Sequence, residues 1–158
     1  MEDFFVTNPE KAAAKIQINN ILMASCLAIL TILWGIGDRP QDQGLLAQLV
    51  LSVPLLYVSS IAYTKIAYRE EVKWWDRLGW FSGTTATIAI LNAFGIMTSS
   101  AGYPSIAVIY FLLTWALLFV YTCINLRYHP RAVGVKVFKY GYVVTLQVLF
   151  GLVPVLLP

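Results

Sequence analysis

Four long stretches of this sequence contain no Asp, Glu, Lys or Arg, and they constrain its fold more than any other feature. They run from 16 to 37, from 44 to 64, from 78 to 126 and from 140 to the C-terminus. A helix needs about 20 predominantly apolar residues to cross the hydrocarbon core of a bilayer. The chain is also only 12% charged, whereas a soluble domain carries about 25%. The uncharged stretches therefore predict membrane-spanning segments.

The third stretch is long enough for two spans, and turn-forming residues at 98–104 divide it. The predicted spans are 16–36, 45–67, 78–98, 105–126 and 137–157. We expect helices because lipid offers no partner for backbone polar groups, and the spans lack the alternating polarity of a membrane β-barrel. The sequence therefore predicts an all-α, polytopic helical bundle with about five transmembrane helices, forming a single transmembrane domain over 1–158.

The segment before the first span carries the signals of a helix start. Asn8 is a suitable N-cap, Pro9 suits the first turn, and Glu10 lies near the positive end of the helix. The acidic Glu2 and Asp3 do not fit the positive start of a secretory signal peptide. We therefore expect this segment to lead directly into the first span.

Basic residues fall almost entirely on one side of these spans. If the chain crosses five times, all but Arg39 of its 11 Lys and Arg residues lie on the side of the N-terminus. The positive-inside rule then predicts a cytoplasmic N-terminus and an outer C-terminus, in a plasma membrane or a bacterial inner membrane. The mixed-charge stretch 69–77 has two interpretations, a short amphipathic helix on the inner surface or a solvated loop.

The spans contain neutral polar residues in place of charged ones. We expect eight of them to face a polar interior or pore: Asn20, Thr31, Ser52, Thr84, Thr85, Asn92, Thr114 and Gln147. In span one they belong to a stripe that should face other helices, made of Gln17, Asn20, Ala24, Ala28, Thr31 and Gly35. The alternative is that the polar residues only form hydrogen bonds between helices.

Span three has two faces that are unsuited to lipid, which predicts a central position for this helix. Small residues on one face predict close packing against a neighbouring helix, namely Gly79, Gly83, Ala86 and Ala93. The other face contains Thr84, Thr85 and Asn92 and is expected to look into the polar interior.

The sequence contains few residues that could form a catalytic, redox or metal site. Its predicted span cores lack ionisable acids and bases, which argues against coupling to protons or voltage. Cys26 and Cys123 are expected at different depths, too far apart for a disulfide. With one histidine and no cysteine pair at metal-binding spacing, we expect no metal site and no cofactor.

These features favour a non-catalytic accessory or assembly subunit of a membrane complex. Its expected partners are the lipid bilayer and other membrane subunits or itself, but no nucleic acid. One alternative is a homo-oligomeric channel or facilitator with a neutral polar lining, serving transport. Another is a membrane-embedded enzyme or redox subunit acting on a lipid-like substrate through Asp76, Arg77, Arg127 and His129.

Overall fold

The computed structural model describes residues 7–35, 43–68, 72–128 and 133–157, and within them the chain is helical. The helices are α1 (Pro9–Gly35), α2 (Gln43–Ala67), α3 (Val72–Ser100), α4 (Pro104–Tyr128) and α5 (Val133–Gln147), which continues through a π-helical turn (Val148–Leu152) into α6 (Val153–Leu156). Counting this last continuous helix once, five described helices are long and apolar enough to cross a membrane. The predicted all-helical fold and the number of such helices are confirmed for these residues.

The helix ends follow the local signals of the sequence. At the start of α1, the backbone N–H of Lys11 donates to Asn8 Oδ1 at 2.8 Å, and Pro9 is the first helical residue. Between α3 and α4, Gly102 adopts a φ of +94°, a left-handed conformation that glycine reaches without steric cost. Pro104 then opens α4, so the predicted break at 98–104 is narrowed to residues 101–103.

The helix α3 begins six residues before the predicted third span. Residues 72–77 are therefore the first turns of a long helix rather than a loop or a separate short helix. Residues 69–71 lie outside the described part of the chain. Within these turns Asp76 is buried. The charge pattern alone does not predict this burial.

The chain divides into two compact units, 1–90 and 91–158, and the boundary falls inside α3. In unit 1, α1, α2 and the first part of α3 surround a core that includes Ala12, Tyr63 and Ile66. Glycines let α2 and α3 approach closely. A Cβ on Gly79 would lie 3.0 Å from Tyr63 Cζ, and one on Gly83 would lie 2.6 Å from Ser59 Oγ.

In unit 2, the core is built around the ring of Phe111, which is fully buried. The ring lies against two glycines, Gly95 on α3 and Gly151 in the π-helical turn. A Cβ on Gly95 would lie 2.4 Å from the ring, and one on Gly151 would lie 2.7 Å from it. The glycines therefore create the space that the aromatic side chain fills.

Large apolar side chains cover the outside of the described helices. On α4 they are exposed on several faces and include Ile109, Leu112, Leu113, Leu117 and Phe119. A soluble monomer rarely exposes so much contiguous apolar surface. Such a surface suits helices that are surrounded by lipid.

The packing of Phe111 predicts the effect of filling one glycine. We expect Gly151→Ala to destabilise the protein by about 1–3 kcal/mol, because overpacking displaces the neighbouring atoms. Gly141→Ala is the matched control in the same continuous helix, since its Cβ would meet nothing within 4 Å. Thermal unfolding of both variants in mild detergent is the measurement. Equal Tm values for the two variants would contradict this account of the core.

Candidate functional site

Four polar side chains from different parts of unit 1 meet at one end of its helices. Lys15 lies near the start of α1, Tyr63 near the end of α2, Asp76 near the start of α3, and Thr7 just before α1. We call them the Lys15 cluster. Lys15 Nζ donates to Thr7 Oγ1 at 3.0 Å and to the Tyr63 hydroxyl at 3.1 Å. Thr7 Oγ1 in turn donates to Asp76 Oδ1 at 2.6 Å.

The charges of this cluster differ in their access to solvent. The side chain of Asp76 is only 2% exposed, that of Lys15 is 37% exposed, and Lys15 Nζ lies 4.0 Å from Asp76 Oδ1. A carboxylate removed from water is costly unless it is paired and hydrogen-bonded. Lys15 and Thr7 lower that cost at Oδ1. Among the described residues, Asp76 Oδ2 has no hydrogen-bond partner.

Further along the same helices, α1 and α2 are joined by smaller polar groups. Asn19 Nδ2 donates to Ser59 Oγ at 2.9 Å, and Ser59 Oγ donates to the carbonyl of Gly79 on α3 at 2.8 Å. Deeper still, Cys26 Sγ lies 3.3 Å from Ser52 Oγ. Together with the Lys15 cluster, these contacts form a polar seam inside unit 1.

Unit 2 contains two buried carboxamides, Asn92 and Gln147. Trp115 Nε1 donates to Gln147 Oε1 at 2.8 Å, and Asn92 Nδ2 donates to the carbonyl of Leu146 at 3.3 Å. An indole N–H only donates and a backbone carbonyl only accepts, so these contacts fix which way each carboxamide points. Asn92 Oδ1 and Gln147 Nε2 are left without a partner in the described part of the chain.

The structure distributes the predicted interior residues between the two units. Ser52 is buried in unit 1, and Asn92 and Gln147 are buried in unit 2. Thr84, Thr85 and Thr114 are half-buried. The hydroxyls of Thr85 and Thr114 donate to the carbonyls of Phe81 and Tyr110, one helical turn earlier. The predicted packing residues Gly79 and Gly83 contact α2, and Ala86 and Ala93 are buried.

The stripe of α1 that was predicted to face other helices lies opposite the buried face of this helix. Its members are all exposed, namely Gln17, Asn20, Ala24, Ala28, Thr31 and Gly35. The buried face instead contains Ala12, Asn19, Cys26 and Leu30. Asn19, one residue earlier, occupies the interior position that was predicted for Asn20. Thr31 donates to the carbonyl of its own helix at Leu27, at 2.8 Å.

Sequence reasoning missed the Lys15 cluster as a whole. One signal was present: Asp76 continues the face of Gly79, Gly83 and Ala86 at intervals of three and four residues. On α1, the same spacing relates Lys15 to Asn19. A charged residue on the small-residue face of a helix points towards the neighbouring helix rather than towards solvent.

Of the four residues considered for catalysis, Asp76 is buried in the Lys15 cluster and the Arg77 guanidinium lies 5.0 Å from the centroid of the Trp74 ring. Arg127 is exposed on α4, and His129 lies outside the described residues. No group of three metal-ligating side chains occurs in those ranges. Comparison of the chain with protein-family models, curated proteins and solved structures found no match.

The polar seam predicts energetic coupling between Asn19 and Ser59. In a double-mutant cycle, Asn19→Ala and Ser59→Ala should show a coupling energy of about 0.6 kcal/mol, the average for such bonds in a membrane protein. Asn20→Ala is the matched control, and its effect should add to that of Ser59→Ala because Asn20 is exposed. Unfolding in detergent supplies the free energies. Coupling of Ser59 to Asn20 instead would show that α1 is rotated relative to this structure.

Proposed function

We propose that this chain is a non-catalytic subunit of a membrane complex and that it binds its neighbour through one exposed face of α1. We call this the outward face; it consists of Gln17, Asn20, Ala24, Ala28, Thr31 and Gly35. The observation that carries the proposal is that these small and polar residues are exposed. In membranes such residues face other helices, while bulky aliphatic side chains face lipid.

Two carboxamides on the outward face have no hydrogen-bond partner among the described residues. Gln17 and Asn20 are exposed, lie within the predicted first span, and make no side-chain hydrogen bond to another described residue. Lipid cannot satisfy an amide, and leaving one unpaired within the hydrocarbon costs several kcal/mol. This cost falls mainly on Asn20, since Gln17 follows the interfacial Lys15 by two residues. A helix of a second protein that supplies hydrogen bonds removes this cost.

The rest of the outward face suits close approach of such a helix. Ala24 and Ala28 are four residues apart, as are Thr31 and Gly35, so each pair lies on one side of α1. Small residues at this spacing let two helix backbones come close enough for extensive van der Waals contact. The outward face therefore combines a surface for close packing with the carboxamides of Gln17 and Asn20, which can form hydrogen bonds with a specific partner.

The interior polar groups fit a structural role as well. The hydrogen bonds of Asn19, Ser59 and Gly79 join three helices of unit 1. In unit 2, Trp115 and Gln147 join α4 to α5. These groups hold helices together, which is what a subunit that works through its surfaces requires.

For residues 1–158 we propose five membrane crossings with the N-terminus in the cytoplasm, in a plasma membrane or a bacterial inner membrane. The support comes from the basic residues, of which only Arg39 falls on the outer side in this topology. The Lys15 cluster then lies at the cytoplasmic interface.

Enlarging the outward face tests the proposed subunit contact. Ala24→Leu combined with Ala28→Leu should release the chain from its complex, because the added side chains hold the partner backbone away. Ala116→Leu is the matched control, the same substitution at an exposed site on α4. The measurement is particle mass after extraction in native lipid with a copolymer. Wild-type particles whose protein content is a single 17.7 kDa chain, or equal release by the control, would contradict the proposal.

The topology is tested by cysteine labelling in intact cells. In a chain with Cys26→Ala and Cys123→Ala, a membrane-impermeant maleimide should label Asp42→Cys in the first loop but not Glu2→Cys near the N-terminus. Permeabilised cells provide the control, since both positions should then react. Labelling of Glu2→Cys in intact cells would reverse the proposed orientation.

A further inference from the structure

The ammonium group of Lys15 is surrounded as a bound cation would be. Three oxygens from separate segments approach Nζ: Thr7 Oγ1 at 3.0 Å, the Tyr63 hydroxyl at 3.1 Å and Asp76 Oδ1 at 4.0 Å. The centroid of the Tyr63 ring lies 4.4 Å from the same atom. Hydroxyl and carboxylate oxygens combined with an aromatic face are groups that attract an ammonium ion.

Lys15 does not satisfy both oxygens of the Asp76 carboxylate. Its side chain is 2% exposed, so it is removed from water, and the Nζ–Oδ1 separation of 4.0 Å is too long for a hydrogen bond. The second carboxylate oxygen, Oδ2, has no partner among the described residues. Lys15 is anchored to α1 and also donates to Thr7 and Tyr63, so its own stem limits how closely the ammonium approaches Asp76.

We propose that Thr7, Tyr63 and Asp76 form a binding site for a primary ammonium ion and that Lys15 fills this site with its own side chain. A free primary ammonium carries the same charge and the same three N–H donors. It therefore matches the acceptor oxygens of Thr7 and Tyr63, and it can approach Asp76 without the restraint of a stem.

The tethered ammonium has a structural consequence for the segment that precedes α1. Thr7 is buried and donates a hydrogen bond to Asp76 on α3, and Lys15 on α1 donates to the same Thr7 hydroxyl. Because the cation belongs to the chain, its effective concentration at the site is high and does not depend on dissolved ions. Lys15 thus supports the contact of Thr7 with α3 without a dissolved cation.

Chemical rescue tests the proposal. Lys15→Ala removes the tethered cation and should lower Tm by several degrees, and n-propylammonium chloride should restore it along a saturable curve. Wild type and Lys11→Ala, which loses a neighbouring exposed lysine, are the controls. In both, n-propylammonium chloride should change Tm no more than the same concentration of tetramethylammonium chloride does. That ion has the same charge but no N–H donor. The double variant Lys15→Ala, Asp76→Asn should not be rescued.

A second measurement covers the case in which Lys15→Ala does not fold. In Asp76→Asn, the ammonium loses its charged partner, and Lys15 should react several-fold faster with an amine-acylating reagent than in wild type. Lys11 in the same samples is the internal reference and should not change. A folded Lys15→Ala that no primary ammonium stabilises would overturn the proposal. Unchanged acylation of Lys15 in Asp76→Asn would do so as well.

Discussion

A hydrogen-bonding group within the hydrocarbon of a bilayer has no water available to it, and this constraint applies to any helix that crosses a membrane, for which five described helices are long and apolar enough. Most threonines in the helices satisfy it locally, by donating to the carbonyl one turn earlier, as Thr87, Thr98 and Thr122 do. Longer polar side chains reach across to another helix, as Asn19 and Trp115 do. Gln17 and Asn20 on the outward face of α1 do neither within the described part of the chain.

Close packing and polar contact depend on one another in both units. Ser59 reaches the carbonyl of Gly79 because α2 and α3 approach closely, and Gly83 makes room for the same hydroxyl. In unit 2, the carboxamide of Asn92 lies where a side chain on Gly151 would collide with it. A glycine lost from either contact therefore disturbs a hydrogen bond as well as the core.

The sequence was sufficient for the helices because apolar length and helix-capping residues are local properties. Asn8 and Pro9 begin α1 as predicted, and a glycine and a proline set the turn before α4. It was insufficient for the rotation of α1, where polar and small residues occur on both sides. Asn19 and Asn20 are adjacent, about 100° apart around the axis, and only contacts with Ser59 distinguish them.

The same limitation explains the Lys15 cluster. Charge in a segment between spans normally indicates solvent, so the sequence does not predict the burial of Asp76. Its burial depends on Lys15 and Thr7, which lie more than 60 residues earlier in the chain. No local pattern around Asp76 encodes that pairing. The face that it shares with Gly79 and Gly83 indicates only that it points towards another helix.

The π-helical turn of residues 148–152 keeps the last helix in phase. Its register is shown by the backbone N–H of Val153, which donates to the carbonyl of Val148 five residues earlier. Gln147, Gly151 and Val155 are all buried, although eight α-helical residues would leave Val155 rotated by about 80° from Gln147. The π-helical turn has more residues per turn than an α-helix, and it thereby removes this extra rotation. The turn therefore accommodates one residue more than an ordinary helix needs: if that residue were deleted, the two positions would be seven residues and only about 20° apart on an ordinary α-helix, and both would still face the core.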